Sequence, residues 1–190
     1  MKKNVPDSHL RWQELQRRRL FESPWMSVEA RDYQLPDGRL YHNYYLAQES
    51  NGVTVVALTP GKKLILVRQF RPSLNTISWD FPGGAIDQTE AGTDEDPIVA
   101  AQRELLEETG FGCKDWQYIG DTQPAPHRLI TTAHVLLARN CVKVAKPNED
   151  EAEFLEVVLF TPEELEELIY QNVFTCSICI AAYFKAKKFF

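Results

Sequence analysis

Glu104, Glu107 and Glu108 have the types and spacing that point most directly to chemistry. They fall in the run Arg103-Glu104-Leu105-Leu106-Glu107-Glu108-Thr109-Gly110-Phe111. On a helix each residue turns about 100°, so the three carboxylates share an arc of roughly 100° on one face. Like charges three and four apart destabilise a helix by roughly a few tenths of a kcal/mol each. A bound divalent cation would convert that repulsion into ligation. Hard oxygen donors with no His or Cys beside them select Mg²⁺, with Mn²⁺ as its substitute. A solvated acidic face has the same spacing, so the glutamates alone do not decide. Two neighbours favour the metal. Arg103 lies four residues before Glu107 and can pair with a carboxylate and orient it. Upstream, Pro82-Gly83-Gly84 offers backbone without Cβ that can approach an ion closely, although the same tripeptide is also turn chemistry.

The element that must carry these groups is legible. Asp96 is a capping residue, Pro97 suits a first helical position and Gly110 suits a stop, which predicts a helix over 97–109. Ile98, Ala101 and Leu105 give that helix an apolar stripe at spacings of three and four, distinct from the acidic face. Around it, Val53 to Leu58, Lys63 to Arg68, Ile77 to Phe81, Trp116 to Asp121, Ala133 to Ala138 and Val157 to Phe160 read as strands. Thr161-Pro162-Glu163-Glu164 is a capping box that opens the C-terminal helices, with a break near Asn172. Nearer the N-terminus, Val28 to Leu35 and Leu40 to Leu46 flank Pro36-Asp37-Gly38 and predict a hairpin rich in tyrosine, preceded by a helical or extended lead.

Composition narrows the field. The chain has 190 residues, 44% hydrophobic and 25% charged, which supports a core without staples. Its net charge of −6 lacks the basic footprint of a nucleic-acid binder. Cys113, Cys141, Cys176 and Cys179 do not make the two close pairs of a four-thiolate zinc site, and they read as reduced thiols. No run reaches the roughly 20 apolar residues of a membrane span, and Met1 to Arg19 has no signal-like apolar stretch, so a cytoplasmic protein without a membrane partner is expected.

The stretch Gly84 to Phe111 resembles the signature of the Nudix hydrolases: Gly, five residues, Glu, seven residues, then Arg-Glu-aliphatic-x-Glu-Glu-x-Gly-aliphatic. The right half matches at each specified position, with Phe111 as the final apolar residue; a chance match to its five fixed residues is on the order of 10⁻⁴. In the left half, Glu90 keeps the five-residue gap after Gly84 and Glu95 keeps the seven-residue gap before Arg103. A five-residue insertion reconciles both, and either glutamate can be the early one. Val67-Arg68-Gln69-Phe70-Arg71, Trp79-Asp80-Phe81-Pro82-Gly83-Gly84, Pro126 and Asp150-Glu151-Ala152-Glu153 are further similar to the ADP-ribose pyrophosphatase branch of that family.

The resemblance implies an α/β fold, a Nudix-type α/β/α sandwich around a mixed β-sheet over 51–190, with a small β-rich appendage over 1–50 that forms a homodimer. It implies Mg²⁺-dependent hydrolysis of the diphosphate bridge of a nucleoside diphosphate sugar, with ADP-ribose giving AMP and ribose 5-phosphate. Metal would be held by Glu104, Glu107, Glu108 and the Gly83 carbonyl. Glu151 or Glu153 would act on the attacking water, supported by Glu107 and Arg103. Arg68, Arg71, Asp80 and Pro126 would contact substrate. Where the branch often has a glutamate shortly after the proline, this chain has Thr131. That leaves GDP-mannose or another nucleotide sugar open as the substrate; a dinucleoside polyphosphate, and a nucleotide sensor that does not cut, are the further alternatives.

Overall fold

A computed structural model of the chain describes residues 7–148 and 154–190. It divides into two compact units, one of Met1–Ser50 with Ala125–Thr131 and one of Asn51–Pro124 with Thr132–Phe190. The first unit therefore takes in a returning segment from far along the chain as well as the N-terminal residues.

In the first unit a short 3₁₀ turn, Ser8–Leu10, leads into β1 (Gln13–Glu22). β2 (Met26–Gln34) and β3 (Leu40–Glu49) form the expected hairpin. Gly38 supplies the left-handed conformation at its turn. The lead before the hairpin is thus mainly a third long strand, antiparallel to β2. Nine of its ten residues are exposed, so no alternation of apolar and polar residues betrayed it.

The second unit is built on β4 (Gly52–Leu58), β5 (Leu64–Arg71) and β6 (Thr76–Asp80), followed by α1 (Pro97–Thr109). After a two-residue β7 (Phe111–Gly112) come β8 (Asp115–Thr122), β9 (Leu129–Ile130), β10 (Ala133–Arg139), β11 (Val142–Lys143) and β12 (Glu156–Phe160). Of these, β9 belongs to the first unit, where it pairs in parallel with β3. The large sheet runs β12-β5-β4-β10-β8, with β6 also on β5. It is mixed: β10 is parallel to β4, and β12, β6 and β8 join antiparallel. The chain closes with α2 (Pro162–Tyr170) and α3 (Ser177–Ala186).

Successive side chains of a strand face opposite sides, and the sequence fills both sides. Val53, Val55 and Ala57 of β4, Ile65 of β5 and Leu136 of β10 pack with Ala100, Ala101 and Leu105 of α1. Val56 and Leu58, Leu64 and Leu66, and Val135 and Leu137 pack with Leu165 of α2 and Ala182 and Tyr183 of α3. Helices therefore cover both faces of a mixed sheet, the α/β/α sandwich expected from the sequence. Among the described residues, no helix is long and apolar enough to cross a membrane.

Candidate active site

The helix α1 forms where its caps predict. The Asp96 carboxylate accepts from the Ile98 N–H at 2.7 Å, and Pro97 opens the helix. Gly110 ends it in the left-handed region, φ 65°, and its N–H donates to the Leu106 carbonyl. A Cβ there would also run into the carbonyl of Ala145, so glycine is required twice over. Leu105 is fully buried in the core, and the neighbouring face of the helix carries Glu104, Glu107 and Glu108, of which Glu108 is also buried.

The glycine loop lies against β4. Val55 N–H donates to the Pro82 carbonyl at 2.8 Å and Val53 N–H to the Gly84 carbonyl at 2.9 Å. A Cβ at Gly83 would collide with the Val53 carbonyl. On its other side the loop meets the helix. Gly83 N–H donates to Glu108 Oε2 at 3.0 Å, and Glu108 is 5% exposed. A Cβ on Gly84 would lie 2.5 Å from Glu104 Oε1. The two glycines are thus what lets backbone and carboxylates come together.

Arg103 joins the rest. Its Nη1 donates to Glu104 Oε1 at 2.8 Å and to Glu107 Oε2 at 3.3 Å, and its Nη2 to the Ala85 carbonyl at 3.2 Å. Nη2 also lies 3.5 Å from Asp87 and 3.6 Å from Glu95. Burial works against the charge on this guanidinium, but Glu104, Asp87 and Glu95 outweigh it and hold its pKa above the ordinary arginine value. Asp87 was not anticipated; its only sequence signal is its place in the acidic stretch before the helix.

The same geometry separates Glu90 from Glu95. Gln88 and Asp94 bridge antiparallel, Thr89 N–H donates to the Thr93 carbonyl at 2.8 Å, and Gly92 N–H to the Thr89 carbonyl at 2.9 Å. Residues 89–93 are therefore a small hairpin that closes on itself, with Glu90 exposed in it. Removing those five residues restores both signature gaps with Glu95 as the early glutamate. Glu95 Oε2 is buried and has no hydrogen-bond partner among the described residues.

Of the other expected residues that the structure describes, Arg68, Arg71 and Asp80 sit elsewhere in the second unit and Pro126 in the first. Arg71 holds Asp80 through Nε at 2.9 Å and Nη2 at 2.7 Å, and Asp80 is 5% exposed. Arg68 donates to Glu156 at 3.1 Å and stacks over Trp79 at 5.3 Å. It lines an open cavity of about 360 Å³ with Gln69, Phe70, Ile77, Phe154, Leu155 and Glu156. Pro126 lies in the first unit, exposed, beside Arg128, whose guanidinium stacks on Tyr44 at 5.0 Å. Glu151 and Glu153 lie outside the described residues.

Four carboxylates and a backbone turn stripped of Cβ, arranged round one arginine, form a set of hard oxygen donors. That chemistry fits a divalent cation: the carboxylates outnumber the guanidinium, and backbone can reach the ion at Gly83.

The chain belongs to the Nudix family: the NUDIX domain model matches residues 49–174. Within it the chain is a Nudix pyrophosphohydrolase, and its relatives narrow the branch. It is 30% identical to an ADP-ribose pyrophosphatase of Bacillus subtilis (strain 168), covering 79% of this chain and 78% of that one. It is 27% identical to a methanol dehydrogenase activator of Bacillus methanolicus, covering 80% of each. An ADP-sugar pyrophosphatase of Mus musculus is 28% identical over 76% of this chain and 71% of its own. The crystal structure of an ADP compounds hydrolase superposes with a TM-score of 0.78 over 95% of each chain at 22% identity, which establishes the fold.

Proposed function

We propose that the protein hydrolyses the diphosphate bridge of a nucleoside diphosphate sugar with Mg²⁺, and that ADP-ribose, cut to AMP and ribose 5-phosphate, is its substrate. The observation that carries this reading is the constellation of Glu95, Glu104 and Glu107 round Arg103, with Glu108 held against Gly83 of the glycine loop. Relatives named for ADP-ribose and ADP-sugar hydrolysis support the substrate class.

Glu104, Glu108 and the Gly83 carbonyl would hold the ion, with Glu107 as a further ligand or its support. When bound, a divalent cation neutralises the diphosphate and makes a water easier to deprotonate. Arg103 keeps Glu104 and Glu107 in register and stays charged while doing so. Glu151 or Glu153 would orient the attacking water or take its proton. Arg68, beside a cavity of about 360 Å³, would hold phosphate oxygens. Arg71 is the second candidate for phosphate, and Asp80 then serves by fixing its guanidinium. In the first unit Leu20, Phe21, Leu40, Tyr41 and Tyr45 are exposed, which supports a homodimer formed there. Light scattering at micromolar concentration should give twice the chain mass; a monomer would remove that part of the proposal.

The deciding experiment is a substrate panel of ADP-ribose, GDP-mannose and a dinucleoside polyphosphate, each with Mg²⁺ and with EDTA. AMP released from ADP-ribose with Mg²⁺ alone is the expected result. Faster cutting of another member would move the substrate, and binding without cutting of any member would replace the enzyme with a nucleotide sensor.

A further inference from the structure

We propose that Asp80, Cys176 and Cys179 form a second metal site, separate from the carboxylate helix and suited to a thiophilic divalent cation such as Zn²⁺. One ligand atom from each of the three lies within 4.8 Å of the others. Cys179 Sγ is 3.9 Å from Asp80 Oδ1. Donors on a tetrahedral Zn²⁺ with Zn–S of about 2.3 Å and Zn–O of about 2.0 Å are roughly 3.5 Å apart, so this pair needs a shift of only a few tenths of an ångström. Thiolate sulfur selects Zn²⁺ over Mg²⁺, which sets this cluster apart from the all-oxygen set on α1.

The fold builds the cluster from both ends of the second unit. Cys176 is the N-cap of α3 and Cys179 stands three residues on, the relation that turns two side chains toward each other in a capping box. Asp80 arrives as the last residue of β6, and Phe81 N–H, next in sequence, donates to Cys179 Sγ at 3.4 Å. Hydrogen bonds of this kind are the outer support that metal–thiolate sites use. Cys179 and Asp80 are 4% and 5% exposed, and Cys176 is half-buried, which leaves one side for an ion to enter and a fourth position for water.

Charge points the same way. Arg71 occupies Asp80 Oδ2, while Oδ1 faces the sulfur. With both thiols ionised, three negative charges meet one guanidinium, and a divalent cation would neutralise the remainder. In its absence the cluster must keep a proton. The hydrogen bond to Cys176, together with burial, pushes the Cys179 thiol well above its ordinary range. The Cys179 bond in turn draws the Cys176 thiol down. Because Asp80 directly precedes Phe81-Pro82-Gly83-Gly84, a bound ion would pin the root of the glycine loop to α3.

The test uses the reduced, full-length protein, stripped with EDTA and desalted, then titrated with Co²⁺. The expected result is a sulfur-to-cobalt charge-transfer absorption that Zn²⁺ abolishes; oxygen ligands on α1 cannot produce it. Zn²⁺ should also slow alkylation of Cys176 and Cys179 by on the order of tenfold or more while leaving Cys113 and Cys141 unaffected, read by peptide mass mapping of the unmutated chain. Cys176→Ser with Cys179→Ser should lose the absorption, and Cys113→Ser with Cys141→Ser should keep it. Absence of the absorption in the folded wild type, its survival in the Cys176→Ser, Cys179→Ser variant, or protection confined to Cys113 and Cys141 would overturn the proposal.

Discussion

Two clusters of arginine and carboxylate use the same residue types to opposite ends. In the first unit, Arg17, Arg18, Arg19 and Arg31 interleave with Glu14, Glu29 and Asp32 across β1 and β2. Glu29, with a side chain 3% exposed, is faced by Arg31 at 2.7 Å, Arg19 at 3.4 Å and Arg17 at 3.6 Å. Its negative charge is met on every side. At α1 the ratio is inverted: one guanidinium, that of Arg103, faces Glu104, Glu107, Asp87 and Glu95. The first cluster closes its charges internally and holds strands together. Among the described residues the second has more carboxylates than guanidinium groups, at a place where glycines admit backbone, a composition that suits a cation. Counting charges within a cluster separates scaffold from site better than counting ion pairs.

The largest effect that tests this contrast is on turnover. Glu108→Gln should reduce ADP-ribose hydrolysis by at least about 10²-fold, since even supporting residues of metal sites are typically worth about 10–100-fold. Yet the metal-free protein should be no less stable, or more stable by roughly a few tenths of a kcal/mol, because repulsion on the helix is relieved. Rates and thermal melts on one preparation check both halves; a wild-type rate would remove Glu108 from the proposed metal site.

Next in size is the early glutamate. Glu95→Gln should lower activity by roughly 10–100-fold, whereas Glu90→Gln, in the self-closed hairpin, should leave it unchanged. The reverse ranking would show that the Arg103 contact is not what the signature glutamate provides.

In the first unit the same exchange should act on stability. Glu29→Gln removes the charge facing three arginines and should cost roughly 1–3 kcal/mol, measured by denaturant unfolding. A neutral result would mean that this cluster does not depend on matched charge and would erase the contrast with Glu108→Gln.

The smallest effect is on pH dependence. Hydrogen bonds from Arg18, then the Asn43 N–H and His42, hold the Asp32 carboxyl well below its ordinary 3.8. A depressed pKa stabilises the fold fully above the unfolded value and loses that contribution as pH falls through the folded one. Arg18→Met should therefore lower Tm modestly at neutral pH, where that contribution is fully present, and flatten the fall in Tm below pH of about 4, so that the two proteins converge in acid. An unaltered acid limb would show that Arg18 is not what holds Asp32 ionised.

Much of the site was legible because it is local. Cap, stripe, acidic face and stop of α1 all lie within fifteen residues, Asp96 to Gly110, and a helix converts spacing directly into direction. Runs of aliphatic and β-branched residues in β4 and β5 likewise announced central strands. β1 was not legible, because its residues are nearly all exposed and carry no period. Glu95 could not be told from Glu90 until residues 89–93 were seen to fold back on themselves, since a loop fixes no direction by spacing. Asp80 and Cys179, separated by 99 positions, meet only because α3 packs on a face of the sheet that β6 joins. The sequence alone thus determined the elements and the family, through short-range periodicity and a contiguous motif. Tertiary structure decided which distant charges and thiols share one dry space, because burial and Coulombic coupling depend on distance through the fold and not along the chain.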